Sequence, residues 1–191
     1  MPIKLLKKIM QFSIILLLVF VVVGLLLPQN YHVQKSIKIN ARAPVIKSLV
    51  EDFTQWYKWS PWQQIDPNIK FNIGEPSSGA GAYQSWEGKW GKGEMTISSL
   101  SDNEVVFSVL FNQEHIITSK LLFSPHTKTV TWQIEGQATM PLISGYVAIF
   151  AENILGNIVT LGLNNLKTVA QLSDAQAIME SHDSQNRTSQ D

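Results

Sequence analysis

Residues 104–112 read Glu-Val-Val-Phe-Ser-Val-Leu-Phe-Asn, and residues 129–136 read Thr-Val-Thr-Trp-Gln-Ile-Glu-Gly. In the first, Val105, Phe107, Val109 and Phe111 occupy every second position; in the second, Val130, Trp132 and Ile134 do the same. Successive side chains of a strand point to opposite faces, so an apolar period of two marks a half-buried strand. Working outward, the same reading places strands at 69–74, 81–88, 91–99 and 114–124. Polar or glycine-bearing turns separate them: Ser77-Ser78-Gly79, Gly88-Lys89, Ser101-Asp102-Asn103, Asn112-Gln113 and His126-Thr127-Lys128. Connections this short cannot cross over a sheet. The six strands therefore predict an antiparallel meander with one face wet and the other on a core.

Upstream, Val33-Gln-Lys-Ser-Ile-Lys-Ile39 alternates as a first strand, and Pro44 opens a short helix from Val45 to Phe53. An aromatic cluster follows (Trp56, Tyr57, Trp59, Trp62), where Pro61 and Pro67 predict turns or broken helix. Downstream, Leu142 to Leu172 has no internal proline and predicts one long helix. Its apolar positions include Tyr146, Ile149, Phe150, Leu155, Ile158, Leu161, Leu166 and Val169, which cover one broad face. Gly145, Gly156 and Gly162 each permit close approach of a strand or a ligand. Residues 173–191 turn polar and unpatterned, as expected of a disordered tail. A curved antiparallel sheet has to cover its apolar face, and the long helix is the only element large enough. The expected class is α+β: a sheet wrapped on a helix, with side chains or a ligand filling the space between them.

At the other end, Ile9 to Leu27 is an apolar run broken only by Gln11, Ser13 and Gly24. At helical rise it spans roughly 28 Å, close to the hydrocarbon thickness of a bilayer. Lys4, Lys7 and Lys8 precede it and no lysine or arginine follows until Lys35, so the N-terminus is expected in the cytoplasm and the domain outside. A cleaved signal peptide is the rival reading. Against it stand the length of the run and its sequel, Leu26-Leu27-Pro28-Gln29-Asn30, which lacks a small-x-small cleavage site. The expected organisation is a transmembrane anchor at 1–30, one domain at 31–172 and the tail, in a single-pass protein that suits a bacterial inner membrane.

The three lysines of residues 1–30 stand without an acid, so a formal charge of 0 for the chain leaves −3 on residues 31–191. That mild acidity offers no basic field for nucleic acid. There is no cysteine, which excludes disulfides, thiolate nucleophiles and thiolate metal sites.

Several segments, in order, resemble the SRPBCC superfamily: START lipid-transfer domains, polyketide cyclases and aromatases, and the birch-pollen allergen group. They are Ile39-Asn40-Ala41-Arg42-Ala43-Pro44; Trp59-Ser60-Pro61-Trp62 with Asp66-Pro67; and Gly79-Ala80-Gly81-Ala82 leading to Trp86. Gly91-Lys92-Gly93 with Met95 and Ile97, Val130-Thr131-Trp132, and Gly162-Leu163-Asn164-Asn165-Leu166-Lys167 complete the set. The likeness covers about residues 32–171 and is nearest to the bacterial polyketide cyclase/dehydrase and lipid-transport type with an N-terminal membrane helix. It implies a helix-grip (START/Bet v 1-like) fold with an apolar cavity, and it leaves the substrate open because that fold hosts carriers, enzymes and sensors.

Candidate cavity or mouth residues are Trp56, Trp59, Trp62, Trp86, Phe107, His115, Trp132, Tyr146, Phe150, Asn153 and Asn157. The tryptophans at three-residue spacing would stack on a flat or lipid-like ligand, or equally pack the core. Trp86 and Trp90 flank a tight turn, where one of them is expected partly exposed near a membrane-facing rim. His115 shares parity with Ile117, Leu121 and Phe123 and so points inward, as a cavity titratable group or a satisfied core histidine. Asn153 and Asn157 lie four apart, and would orient a ligand's polar head if their face looks into the cavity, or else sit in water. Glu87, Glu94 and Glu135 read as solvated strand positions. No histidine has a ligand-spaced partner, no Ser stands in a nucleophile elbow, and Ser77 to Gly81 lacks the lysine of a phosphate loop; no metal, cofactor or catalytic set is expected.

Three functions follow: a membrane-tethered binder of a small hydrophobic ligand, an enzyme of cyclase or dehydratase type acting on an apolar substrate, or a filled-core structural or sensing module working through a protein partner.

Overall fold

A computed structural model of the chain describes residues 2–188, with side-chain surroundings for residues 3–181. Helix α1 (Pro2–Leu26) leads into strand β1 (Asn30–Lys38). Two short helices follow, α2 (Ala43–Glu51) and α3 (Trp62–Ile65), with a 3-10 segment at Phe53–Lys58 between them. Six strands come next: β2 (Lys70–Ile73), β3 (Tyr83–Gly88), β4 (Gly91–Leu100), β5 (Glu104–Phe111), β6 (His115–Ser124) and β7 (Thr129–Gln137). Helix α4 (Ser144–Thr188) ends the described chain.

The strands form one seven-stranded antiparallel sheet in the order β1-β7-β6-β5-β4-β3-β2, so the expected meander closes by bringing β1 onto β7. β1 starts three residues earlier than its own alternation suggests, because Asn30 and Tyr31 pair with Gln137 and Gly136. A register shift between Ile97 and Ser99 bends β4 and helps the sheet curl. The β3–β4 connection is a two-residue hairpin, Lys89-Trp90, closed by Gly91 at a φ of 129° that an L side chain rarely adopts.

The alternation defines the inner face as expected. Val105, Phe107, Leu121, Val130, Trp132 and Ile97 are buried there. α4 lays Val159, Leu163, Leu166 and Ala170 on this face at helical spacing, all buried. The glycine-162 expectation holds: a methyl built there would lie 2.6 Å from Trp132 Cζ3. Helix and sheet meet directly at that point.

The aromatic cluster forms because α2 ends in carbonyls that need donors. Trp56 Nε1 donates to the Val50 carbonyl oxygen at 2.9 Å and Trp59 Nε1 to that of Leu49 at 2.8 Å. The indoles then continue edge-to-face into the core, Trp59 to Trp132 at 5.8 Å and Trp56 to Phe107 at 5.4 Å between ring centroids.

The long helix does not stop at Leu172. It continues to Thr188, and two residues past Leu172 Asp174 faces the domain and pairs with Arg42 just before α2. Arg42 Nε donates to Asp174 Oδ1 at 2.5 Å and the Arg42 amide to Oδ2 at 3.2 Å. That guanidinium hydrogen bond holds the Asp174 carboxyl below the usual carboxylate range. Residues 189–191 of the expected tail lie outside the described residues.

α1 is apolar and exposed along most of its length, and long enough to cross a membrane by length and composition. Only its last two turns touch the domain, at the start of α4.

Candidate functional site

Two hollows lie at the β2–β3 end of the sheet. The larger, about 300 Å³, is lined by polar and charged side chains of β2–β4 (Lys70, Asn72, Ser85, Glu87, Lys92 and Glu94) together with Phe71, Trp86 and Leu110. The smaller, about 190 Å³, lies on the inner side, between the 3-10 segment and β2–β3. Phe53, Trp56, Tyr57, Phe71 and Ile73 form its apolar walls, and Gln84 lies in its lining. We take this crevice as the candidate site, because it has the composition of a ligand pocket: apolar walls and a few fixed polar groups.

Its construction follows from the local sequence. Asp52 accepts from the Thr54 amide at 2.8 Å and starts the 3-10 turn that carries Trp56 and Tyr57. Phe71 opposes Trp86 and Ile73 opposes Gln84 across the β2–β3 ladder, which puts all four on the inner face. Asp66, itself buried, accepts from the Lys89 amide at 2.6 Å and the Asn68 amide at 3.1 Å, and so ties the approach to β2 to the β3–β4 hairpin.

Gln84 is the unusual member. It is 2% exposed, and its amide nitrogen reaches the Met95 sulfur at 3.7 Å, a weak acceptor. A buried amide with so soft a partner is available to a ligand's polar group at little exchange cost. Gln84 and Phe71 are not among the residues the sequence singles out, and Tyr57 stands out there only as a member of the aromatic cluster. One signal was present: Gln84 shares the strand parity of Ala82 and Trp86, which places a polar side chain among inward-facing ones.

The residues singled out from the sequence separate in the folded chain. Trp56 lines the crevice. Trp59, Phe107 and Trp132 are core, the last with its Nε1 donating to Ser119 Oγ at 2.8 Å. Trp86 is half-buried over Gly93 and Trp62 half-buried on α3. On β6, three strands from β3 in the sheet order, His115 is half-buried and hydrogen-bonded to Thr139 Oγ1 at 3.2 Å, outside the crevice lining. Tyr146 stacks on Phe20 of α1. Phe150 is exposed instead of facing the grip, and Asn153 and Asn157 take the wet alternative, Asn153 donating back to the Ile149 carbonyl at 3.1 Å. The reason is helical phase: the buried stripe of α4 runs through Ala148, Val159 and Leu163, and leaves these three on the opposite side. Trp90, 66% exposed, is the exposed member of the pair at the β3–β4 turn. Glu87, Glu94 and Glu135 are exposed as expected. Among the described residues no group of three or more His, Cys, Asp or Glu is placed to hold a metal ion.

No protein-family model matches the chain, and no curated protein matches it in sequence. Solved structures do match in fold. A Staphylococcus aureus protein of unknown function superposes with a TM-score of 0.58 at 9% identity, covering 75% of this chain and 95% of its own. Major latex-like protein 151 from Panax ginseng gives 0.52 at 13% identity, with 74% and 98% covered. The di-domain ARO/CYC StfQ, from the steffimycin biosynthetic pathway, gives 0.56 at 9% identity; 76% of this chain matches 52% of that one. With the antiparallel sheet closed on a long C-terminal helix, these matches show that the chain has the α+β helix-grip fold.

Proposed function

We propose that the chain is a membrane-anchored binder of a small hydrophobic molecule, held in the crevice between the 3-10 segment and β2–β3. The buried amide of Gln84, set among Trp56, Tyr57, Phe71 and Ile73, is the observation that carries this reading. The crevice volume of about 190 Å³ lies below the roughly 300–1,000 Å³ of drug-sized sites, so the ligand is a single ring system or the end of a chain. α1 supplies the anchor: a single pass through a bacterial inner membrane, N-terminus in the cytoplasm and domain outside, in line with Lys4, Lys7 and Lys8 before the span. An enzyme of cyclase type ranks lower, because the crevice lining holds hydroxyls and amides but no carboxylate or imidazole to move a proton.

The test is native mass spectrometry of the full chain in lipid nanodiscs made from its own host membranes. The expected result is a co-purifying apolar molecule at near one-to-one ratio, lost in Gln84→Leu, with the folded spectrum of the variant unchanged. An apo mass that neither fatty acids nor aromatic polyketides alter would reject it. One observation favours the filled-core alternative: Trp59, Trp132 and Phe107, each no more than 2% exposed, plug the space between sheet and α4. On that reading the domain works through a protein partner, and the apo result would direct attention there.

A further inference from the structure

We propose that the β7–α4 connection and the first turns of α4 lie inside the outer leaflet beside α1, a two-helix foot that fixes the domain against the membrane. The inference rests on the reading of α1 as a span and adds that a second, non-spanning segment enters the same bilayer.

Three contacts join the two helices. Tyr146 Oη donates to the Phe20 carbonyl oxygen at 2.9 Å, and the two rings stack with centroids 4.4 Å apart at 6°. A methyl built on Gly24 would lie 2.6 Å from the Leu142 carbonyl oxygen, and Gly145 sits against Leu27. Small residues at a crossing are what lets helix backbones approach closely in lipid.

Depth follows from the register. Phe20 is seven residues before Leu27, the end of the apolar run, and thus about 10 Å inside it at 1.5 Å per residue. The Tyr146 ring and hydroxyl reach down to the level of Phe20, while the backbone of Leu142 and Gly145 lies against Gly24 and Leu27, within about 5 Å of the end of the run. If α1 spans, the start of α4 cannot be in water. The Tyr146 hydroxyl meets the demand this depth makes, since its proton has a protein acceptor.

The composition agrees. No charged residue stands between Glu135 and Glu152. Met140, Leu142, Ile143, Phe150 and Ile154 are all exposed in this region, an apolar surface that would be costly in water. Charged groups begin together at its border: His32 Nδ1 is 3.2 Å from Glu135 Oε1, and the His32 amide donates to Glu152 Oε1 at 3.1 Å. Trp90 lies at the same end of the sheet, because the register runs from Asn30–Gln137 through Ile117–Gly136, His115–Phe111 and Phe111–Gly93 to Gly88–Gly91. The Lys89 ammonium is 5.2 Å from the Trp90 ring, the tryptophan–lysine pairing of an interfacial belt. α4 is itself long and apolar enough to cross a membrane, yet Val159, Leu163, Leu166 and Ala170 hold its middle against the sheet, which leaves its start, with Phe150 and Ile154, beside α1.

The absence of cysteine makes the test direct. Single cysteines at Leu142 and Phe150, with Val19→Cys as the membrane reference and Ser101→Cys as the aqueous one, are labelled with a fluorophore in the full chain. The protein is reconstituted in phosphatidylethanolamine–phosphatidylglycerol vesicles and exposed to lipid-borne nitroxide and to aqueous iodide. The proposal expects labels at 142 and 150 to be quenched by nitroxide, and to resist iodide several-fold more than the label at 101. Iodide access at 142 and 150 equal to that at 101, with 19 protected, overturns the foot and leaves the anchor standing. Iodide access at 19 overturns the anchor and the foot together. Protection from both quenchers at 142 and 150 also overturns it, since a second copy or another protein would then cover the patch.

Discussion

Gly156→Ala should stabilise the domain, and the same change at Gly162, two turns further along the same helix, should not. In a helix interior the substitution gains about 1 kcal/mol from propensity. At position 156 the new methyl would lie 3.5 Å from Lys35 Cε, an ordinary contact with the far end of a flexible side chain, so the gain is kept. At position 162 the methyl would lie 2.6 Å from Trp132 Cζ3 and 3.2 Å from Pro61 Cδ. The indole cannot withdraw, because it is 2% exposed and its Nε1 is tied to Ser119. Overpacking of this kind costs about 1–3 kcal/mol. The propensity gain is common to both variants, so their stabilities should differ by that overpacking cost. For a domain of this size 1 kcal/mol moves the melting temperature by about 2–4 °C, which puts the separation at roughly 2–12 °C. The assay is near-UV circular dichroism melting of the full chain in detergent, each variant against the parent. Equal gains at both positions would refute the reasoning, since α4 and the sheet would then not be packed rigidly at Trp132.

Trp132→Ala should cost about 3–5 kcal/mol by urea denaturation, and adding Ser119→Ala should recover part of it by removing the hydroxyl left without its donor. The void has the Ser119 hydroxyl on its wall, which the indole N–H can meet as Trp132 does, so indole added to Trp132→Ala should raise its melting temperature and leave the parent unchanged. Asp174 supplies a pH dependence. Its carboxyl is lowered in the folded state by the Arg42 hydrogen bond, so the pair stabilises above the unfolded carboxyl range and loses that contribution as pH falls through the folded value. Asp174→Asn should therefore flatten the acid limb of urea midpoints measured from about pH 7 down to about pH 2. Tyr31 acts at the other extreme: burial raises its phenol, so folded stability should fall as pH rises past the ordinary tyrosine range, and Tyr31→Phe should remove that decline.

Much of the sheet was legible because its signal is local. An apolar period of two in residues 104–112 and 129–136 assigns each side chain to a face without reference to any partner, and the inner set Val105, Phe107, Val130 and Trp132 is buried accordingly. The short turns were equally decisive, since they allow only antiparallel neighbours. The candidate site was less legible. Trp56 stands out in the sequence as a site candidate, but its neighbours Phe71, Ile73 and Gln84 come from strands whose pairing brings them together, and a buried glutamine looks like any surface glutamine in a short polar stretch.

Local patterning alone specifies the main strands and helices and the inward face of the clearest strands, together with an apolar N-terminal helix of membrane-spanning length. Tertiary structure decided which partner covers each apolar stripe. Ile149 and Phe150 belong to the same hydrophobic pattern as Leu166, yet Leu166 is buried under the sheet and they are exposed near α1, because periodicity marks an apolar face without naming what it packs on. It also tied α4 to the domain beyond Leu172. Arg42 and Asp174 lie 132 residues apart, and only the folded chain brings the guanidinium to a carboxylate past the point where the helix's own pattern fades.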